Sequence, residues 1–90
     1  MLSETYAILL FSSTRAAMAA EKEGKRSGFT VRIIPTPAQI ISTCGFSLRC
    51  PCEEQATLTA HLTAIDLAPS GAYTALRQGL TVTYKKCANV

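Results

Sequence analysis

Ninety residues with nine lysines and arginines, six acidic residues and a formal charge of +3 make a single domain over residues 1–90. With 48% hydrophobic and 17% charged residues the chain is not disordered, and with 7% aromatics and no tryptophan its core is aliphatic and alanine-rich. The mild charge, with no long basic run interleaved with aromatics, gives no expectation of nucleic-acid binding.

The first element is "YAILLFS", a continuous apolar run that reads as a buried strand ending in Ser-Ser-Thr. It falls far short of the ~20 apolar residues of a membrane span. Glu4 precedes it and no basic leader is present, so the expected location is the cytosol and no membrane partner is expected. Ser12, Ser13 or Thr14 can cap the helix that follows. That helix, "TRAAMAAEKEGKRSG", carries a small face of Ala16, Ala17 and Ala20, a Glu21–Lys25 pair at i,i+4, and Gly28 as its stop.

"FTVRIIP" then alternates, with Phe29, Val31 and Ile33 on one side, until Pro35 and Pro37 end it. "TPAQIISTCG" is a loop with a short helical turn around residues 38–41. Alternation resumes in "FSLRC", which sets Phe46, Leu48 and Cys50 opposite Ser47 and Arg49. After Pro51 a second helix is expected over residues 52–69, with Leu58, Leu62 and Ile65 on one stripe and Glu53 and Glu54 at its positive end. "AYTALRQ" and "LTVTYKK" complete the strands. The order β-α-β-β-α-β is that of a ferredoxin-like α+β sandwich, an antiparallel sheet with two helices on one face and room for an extra C-terminal strand.

Four cysteines carry what chemistry the sequence offers. In a reducing cytosol such thiols serve metal binding, catalysis or plain burial. Cys44 lies in a loop between two strands and precedes Gly45. A glycine there can take a positive φ and turn successive N–H groups toward the sulfur, a nest that favours a thiolate. Arg49, with Arg32 on the preceding strand, adds positive charge if the polar faces align. Cys44 also fits as a small residue in a turn.

Cys50 and Cys52 flank Pro51. They read as a redox pair, or as part of a four-thiolate zinc site with Cys44 and Cys87. The spacing lacks paired CxxC knuckles, and Cys50 continues the apolar phase of Phe46 and Leu48. Burial as a small hydrophobe is the simpler account, and no metal is expected. His61 reads as a boundary residue beside the apolar stripe rather than a catalytic base. Glu53, Glu54 and Asp66 suit capping and solubility. No glycine-rich phosphate loop, HExxH or nucleophile elbow is present for classical hydrolase or kinase chemistry.

Together "FSST", the alanine-rich helix with Glu21 and Lys22, "IPTP" and "STCGFSLR" resemble the small bacterial family of selenium/sulfur carrier-like proteins, also known as a domain of unknown function. The likeness runs from about residue 6 to residue 77. It is most specific at Ser42-Thr43-Cys44-Gly45 with Leu48 and Arg49, and residues 79–90 extend past it. The resemblance implies that Cys44 is the carrier thiol, that Gly45 permits the turn, and that Thr43 and Arg49 stabilise the charged sulfur or selenium. It further implies a cysteine desulfurase-type donor, a selenium- or sulfur-using acceptor and no cofactor, in a carrier or sulfurtransferase-like protein rather than a classical enzyme. Two other readings stay open. One is a binding module or homodimer using the "LTVTY" strand, sensitive at Leu80, Val82 or Tyr84 but tolerant of Cys44→Ser. The other is a thiol redox protein pairing Cys44 with Cys50 or Cys52.

Overall fold

The computed structural model describes residues 3–40 and 44–87. Strand β1 (Ser3–Leu10) carries the apolar run and ends just before the serines. The Ser13 hydroxyl accepts the Ala16 N–H at 3.1 Å and starts helix α1 (Thr14–Arg26). At its far end the Phe29 N–H reaches the Gly24 carbonyl at 2.8 Å and the Gly28 N–H reaches Lys25 at 3.1 Å. Gly28, with φ of 91°, takes the left-handed position of this Schellman closure.

Strands β2 (Arg32–Pro35) and β3 (Phe46–Pro51) follow, then helix α2 (Cys52–Ala64) and strands β4 (Gly71–Gln78) and β5 (Thr81–Lys86). The sheet order is β2-β3-β1-β4-β5 with every neighbouring pair antiparallel. The first four strands and two helices form the expected ferredoxin-like α+β arrangement, and β5 is the extra strand beside β4.

Both helices pack on one sheet face. Ala17 and Ala20 of α1 and Leu58 and Leu62 of α2 are fully buried with Ala7, Leu9, Leu48, Cys50 and Ala72. The small face of α1 matters most at Gly24, where an added Cβ would stand 2.9 Å from Val31 Cγ2. The opposite face carries a smaller cluster of Ile8, Leu10 and Ala75, joined by Ile40 from the loop and by no helical residue.

The structure departs from the sequence reading in three elements. β2 covers only Arg32–Pro35, because residues 29–31 are drawn toward the helices: Phe29 and Val31 pack in the helix-side core, and the Thr30 N–H donates to Glu54 at 2.8 Å. Helix α2 stops at Ala64, not near residue 69, because Asp66 adopts φ of 64°. The Leu67 N–H then closes on Leu62 at 2.8 Å, and Ile65 leaves the stripe 40% exposed. Leu80 lies in the β4–β5 turn, fully exposed, rather than in the last strand.

Candidate functional site

Cys44 sits where the loop from β2 enters β3, and its sulfur is carried to the N-terminal turn of α1. Its Sγ lies 3.8 Å from the Thr14 Oγ1 and accepts the Phe46 N–H at 3.5 Å. The backbone beneath is fixed by Thr36, the residue after β2. The Thr36 hydroxyl donates to the Cys44 carbonyl at 3.0 Å, the Thr36 N–H to the Gly45 carbonyl at 2.9 Å, and Thr36 and Ser47 hydroxyls share a 2.6 Å bond. That last bond explains why Ser47 is fully buried on a strand face read as polar.

Cys44 is only 4% exposed, yet Thr14, Gly45 and Phe46 around it are all exposed. The thiol therefore lies just under the surface. α1 has no acidic residue in its first turn, whereas α2 has Glu53 and Glu54. The positive end of α1 is left without a carboxylate to neutralise it, beside a sulfur.

The supporting residues expected from sequence divide. Thr43 lies outside the described residues. Gly45 is not in the left-handed region, and a Cβ there would meet nothing within 4 Å, so neither a positive φ nor a close approach demands glycine. Arg49 does not turn toward Cys44. Its Nη2 holds Glu4 Oε2 at 2.8 Å and its guanidinium lies 3.8 Å over the Tyr6 ring, on the face away from the helices. Arg32 is its direct cross-strand partner on that same face. The group that sequence reading missed is Thr14, thirty residues away and read only as a possible cap.

Cys50 and Cys52 belong to the opposite end of β3, and Cys87 follows β5. Burial pushes the Cys50 thiol up to about 12, with Glu54, Cys52 and Glu53 adding to it. Cys52 is raised too, by burial first, then by Glu53 and Cys87. Cys87 lies 3.3 Å from the Thr74 hydroxyl and packs, like Cys52, against the helix-side core. None of the four cysteines is in a disulfide. From Phe46 to Cys50 the strand alone spans about 13 Å, against the roughly 4–7 Å between Cα atoms that a disulfide tolerates. A Cys44 pairing with Cys50 or Cys52 within one chain is therefore incompatible with this fold.

Among the described residues no group of three or more His, Cys, Asp or Glu is placed to hold a metal ion. His61 bonds Ser27 through Nε2 at 3.0 Å and packs against Phe29, as a boundary residue would. A cavity of about 420 Å³ lies elsewhere, at the β3 end away from Cys44, between Tyr6, Thr30, Arg32, Arg49 and Glu53. No described helix is long and apolar enough to cross a membrane.

Comparison with known families places this loop in context. The model of the family described as "Putative Se/S carrier protein-like" matches residues 6–74, from β1 into β4 with Cys44 inside the match. The chain belongs to that family. No curated protein and no solved structure matches it. The Se/S carrier-like match stops before β5, so that strand is this chain's addition to the matched segment.

Proposed function

We propose that this Se/S carrier-like protein holds sulfur or selenium on Cys44 and passes it to an acceptor. The observation that supports this most is the placing of the Cys44 sulfur against the Phe46 N–H and the Thr14 hydroxyl at the start of α1. Donors and a helix N-terminus favour an anion, and both thiolate and persulfide are anions in use.

The exchange balances without a cofactor. The Cys44 thiolate attacks the outer sulfur of a donor persulfide, R–S–SH. A new S–S bond forms to Cys44, the donor's S–S bond breaks, and the donor leaves as its thiolate. Cys44 now carries the persulfide, or the selenosulfide when the donor's outer atom is selenium. An acceptor thiolate reverses the step and regenerates Cys44. A cysteine desulfurase-type protein suits the donor role, and a selenium- or sulfur-using protein the acceptor role.

In-line attack requires the sulfur to be uncovered, which means parting Cys44 from the exposed Thr14 side chain. The covered state shields a loaded persulfide from stray thiols. The test is discharge: protein loaded with radiolabelled sulfur, freed of donor, is offered a fresh thiol acceptor. The carrier reading expects label to move to the acceptor and Cys44 to return to a thiol. Label that stays on the protein would contradict it.

A further inference from the structure

The sheet face turned away from the helices collects residues that are scattered in the sequence. Strand alternation puts Glu4 and Tyr6 of β1, Arg32 of β2, Arg49 of β3, Tyr73 and Arg77 of β4, and Tyr84 and Lys86 of β5 on that face. These include all three tyrosines of the chain. They also include four cations against a single acid, Glu4. The other five cations are matched by the other five acids, so the whole formal excess of +3 lies on this one face.

The register sharpens the pattern. Arg32, Arg49, Ile8, Tyr73 and Lys86 stand directly opposite one another in one row across all five strands. Cations thus flank the row at both sides of the sheet. In the adjacent row Tyr6 and Tyr84 stand on either side of Ala75, about 10 Å apart at two strand spacings, and both pack against the cluster that buries it. Arg32 and Arg49 face each other as like charges, an arrangement that costs stability unless an anion lies between them. Glu4 reaches Arg49, whereas Arg32 has no ion pair among the described residues. The cavity of about 420 Å³ opens beside these two arginines and Tyr6, with the carboxylates of Glu4 and Glu53 also in its wall.

We propose that this face binds single-stranded nucleic acid, with phosphates on Arg32, Arg77 and Lys86 and bases stacked on the Tyr73 and Tyr84 rings and on the Arg49 guanidinium that already lies over Tyr6. Half-buried rings interleaved with cations on a sheet face that no helix covers suit single strands, since every base has a π-face and every linkage a charge. A second copy fits poorly, because a two-fold contact would set one +3 face against another. The face escapes a search for a contiguous basic and aromatic run because it is assembled from five strands. It shares no residue with the Cys44 contacts, and so stands independently of the carrier reading.

The test is fluorescence anisotropy with a short labelled single-stranded RNA of mixed sequence, titrated over a range of sodium chloride. The wild type should bind at low salt, with affinity falling as salt rises. Arg77→Glu should flatten that salt dependence by about 0.7 of a log unit per log unit of salt for each phosphate lost. Tyr84→Leu keeps an apolar side chain and should weaken binding by about fivefold or more. A melting curve for each variant separates lost binding from lost folding, and Cys44→Ser should bind as the wild type does. Absence of binding at low salt would overturn the proposal. So would binding that Tyr84→Leu leaves intact and polyglutamate displaces equally well, which would point to an acidic protein. Self-association of the wild type that Arg77→Glu abolishes would also overturn it, in favour of a second copy.

Discussion

Thr14 Oγ1 lies 3.8 Å from Cys44 Sγ, joining the first residue of α1 to the loop that enters β3 across thirty positions of sequence. This contact gives the thiol both a packing neighbour and a polar one. Because Thr14 is itself exposed, the two roles can be separated by substitution.

Thr14→Val keeps the bulk over the sulfur and removes the hydroxyl. Alkylation of Cys44 by iodoacetamide in the folded protein should slow by about fivefold, the loss of roughly one hydrogen bond's worth of stabilisation. The melting temperature should hardly change. An unchanged rate would mean that the Thr14 hydroxyl does nothing for the thiolate.

Gly45→Ala should fold, melt and load sulfur much as the wild type does. The backbone at Gly45 is outside the left-handed region and a Cβ there faces open space. A loss of stability beyond about 1 kcal/mol, read by denaturant unfolding, would show a constraint at this position that its geometry does not contain.

Gly24→Ala should destabilise, although alanine is the better helix former. The new Cβ would meet Val31 Cγ2 at 2.9 Å, and a β-branched side chain turns aside poorly. Overpacking of about 1–3 kcal/mol outweighs a helical gain of at most about 1 kcal/mol. Urea denaturation of the two proteins decides the sign.

Cys50 makes stability depend on alkaline pH. Its thiol ionises near 12 when folded against an ordinary 9, so the unfolded chain loses its proton first as pH rises. Stability is full below about pH 9 and falls between there and about 12, with a slope approaching 1.4 kcal/mol per pH unit from this one group. Cys52, raised in the same direction, adds to the fall. Denaturation followed from pH 8 to pH 10.5 should give a shallower slope for Cys50→Ala than for the wild type, whatever their absolute stabilities.

Much of this was legible in the sequence, for reasons that differ by element. The helix and strand order followed from period: an apolar run for β1, an alanine-rich segment for α1, and alternation for β2, β3 and β5. The end of α2 was not legible, since Asp66 carries no mark of its left-handed φ and Leu67 closes the helix only through backbone bonds. Alternation did place Ser47 and Arg49 together, away from Leu48 and Cys50. It does not say what lies over them, and so nothing in the sequence shows that Arg49 turns to Glu4 and Tyr6 rather than to the sulfur. Thr14 and Cys44 meet only through tertiary packing, which a reading along the chain does not reach. The tyrosine and arginine rows needed the register as well.

The most direct test of the carrier account is intact mass after incubation with a cysteine desulfurase and cysteine, wild type beside Cys44→Ser. The account predicts a gain of one sulfur atom on the wild type, removed by reductant and missing from the variant. No gain, or a gain that survives the substitution, would contradict it.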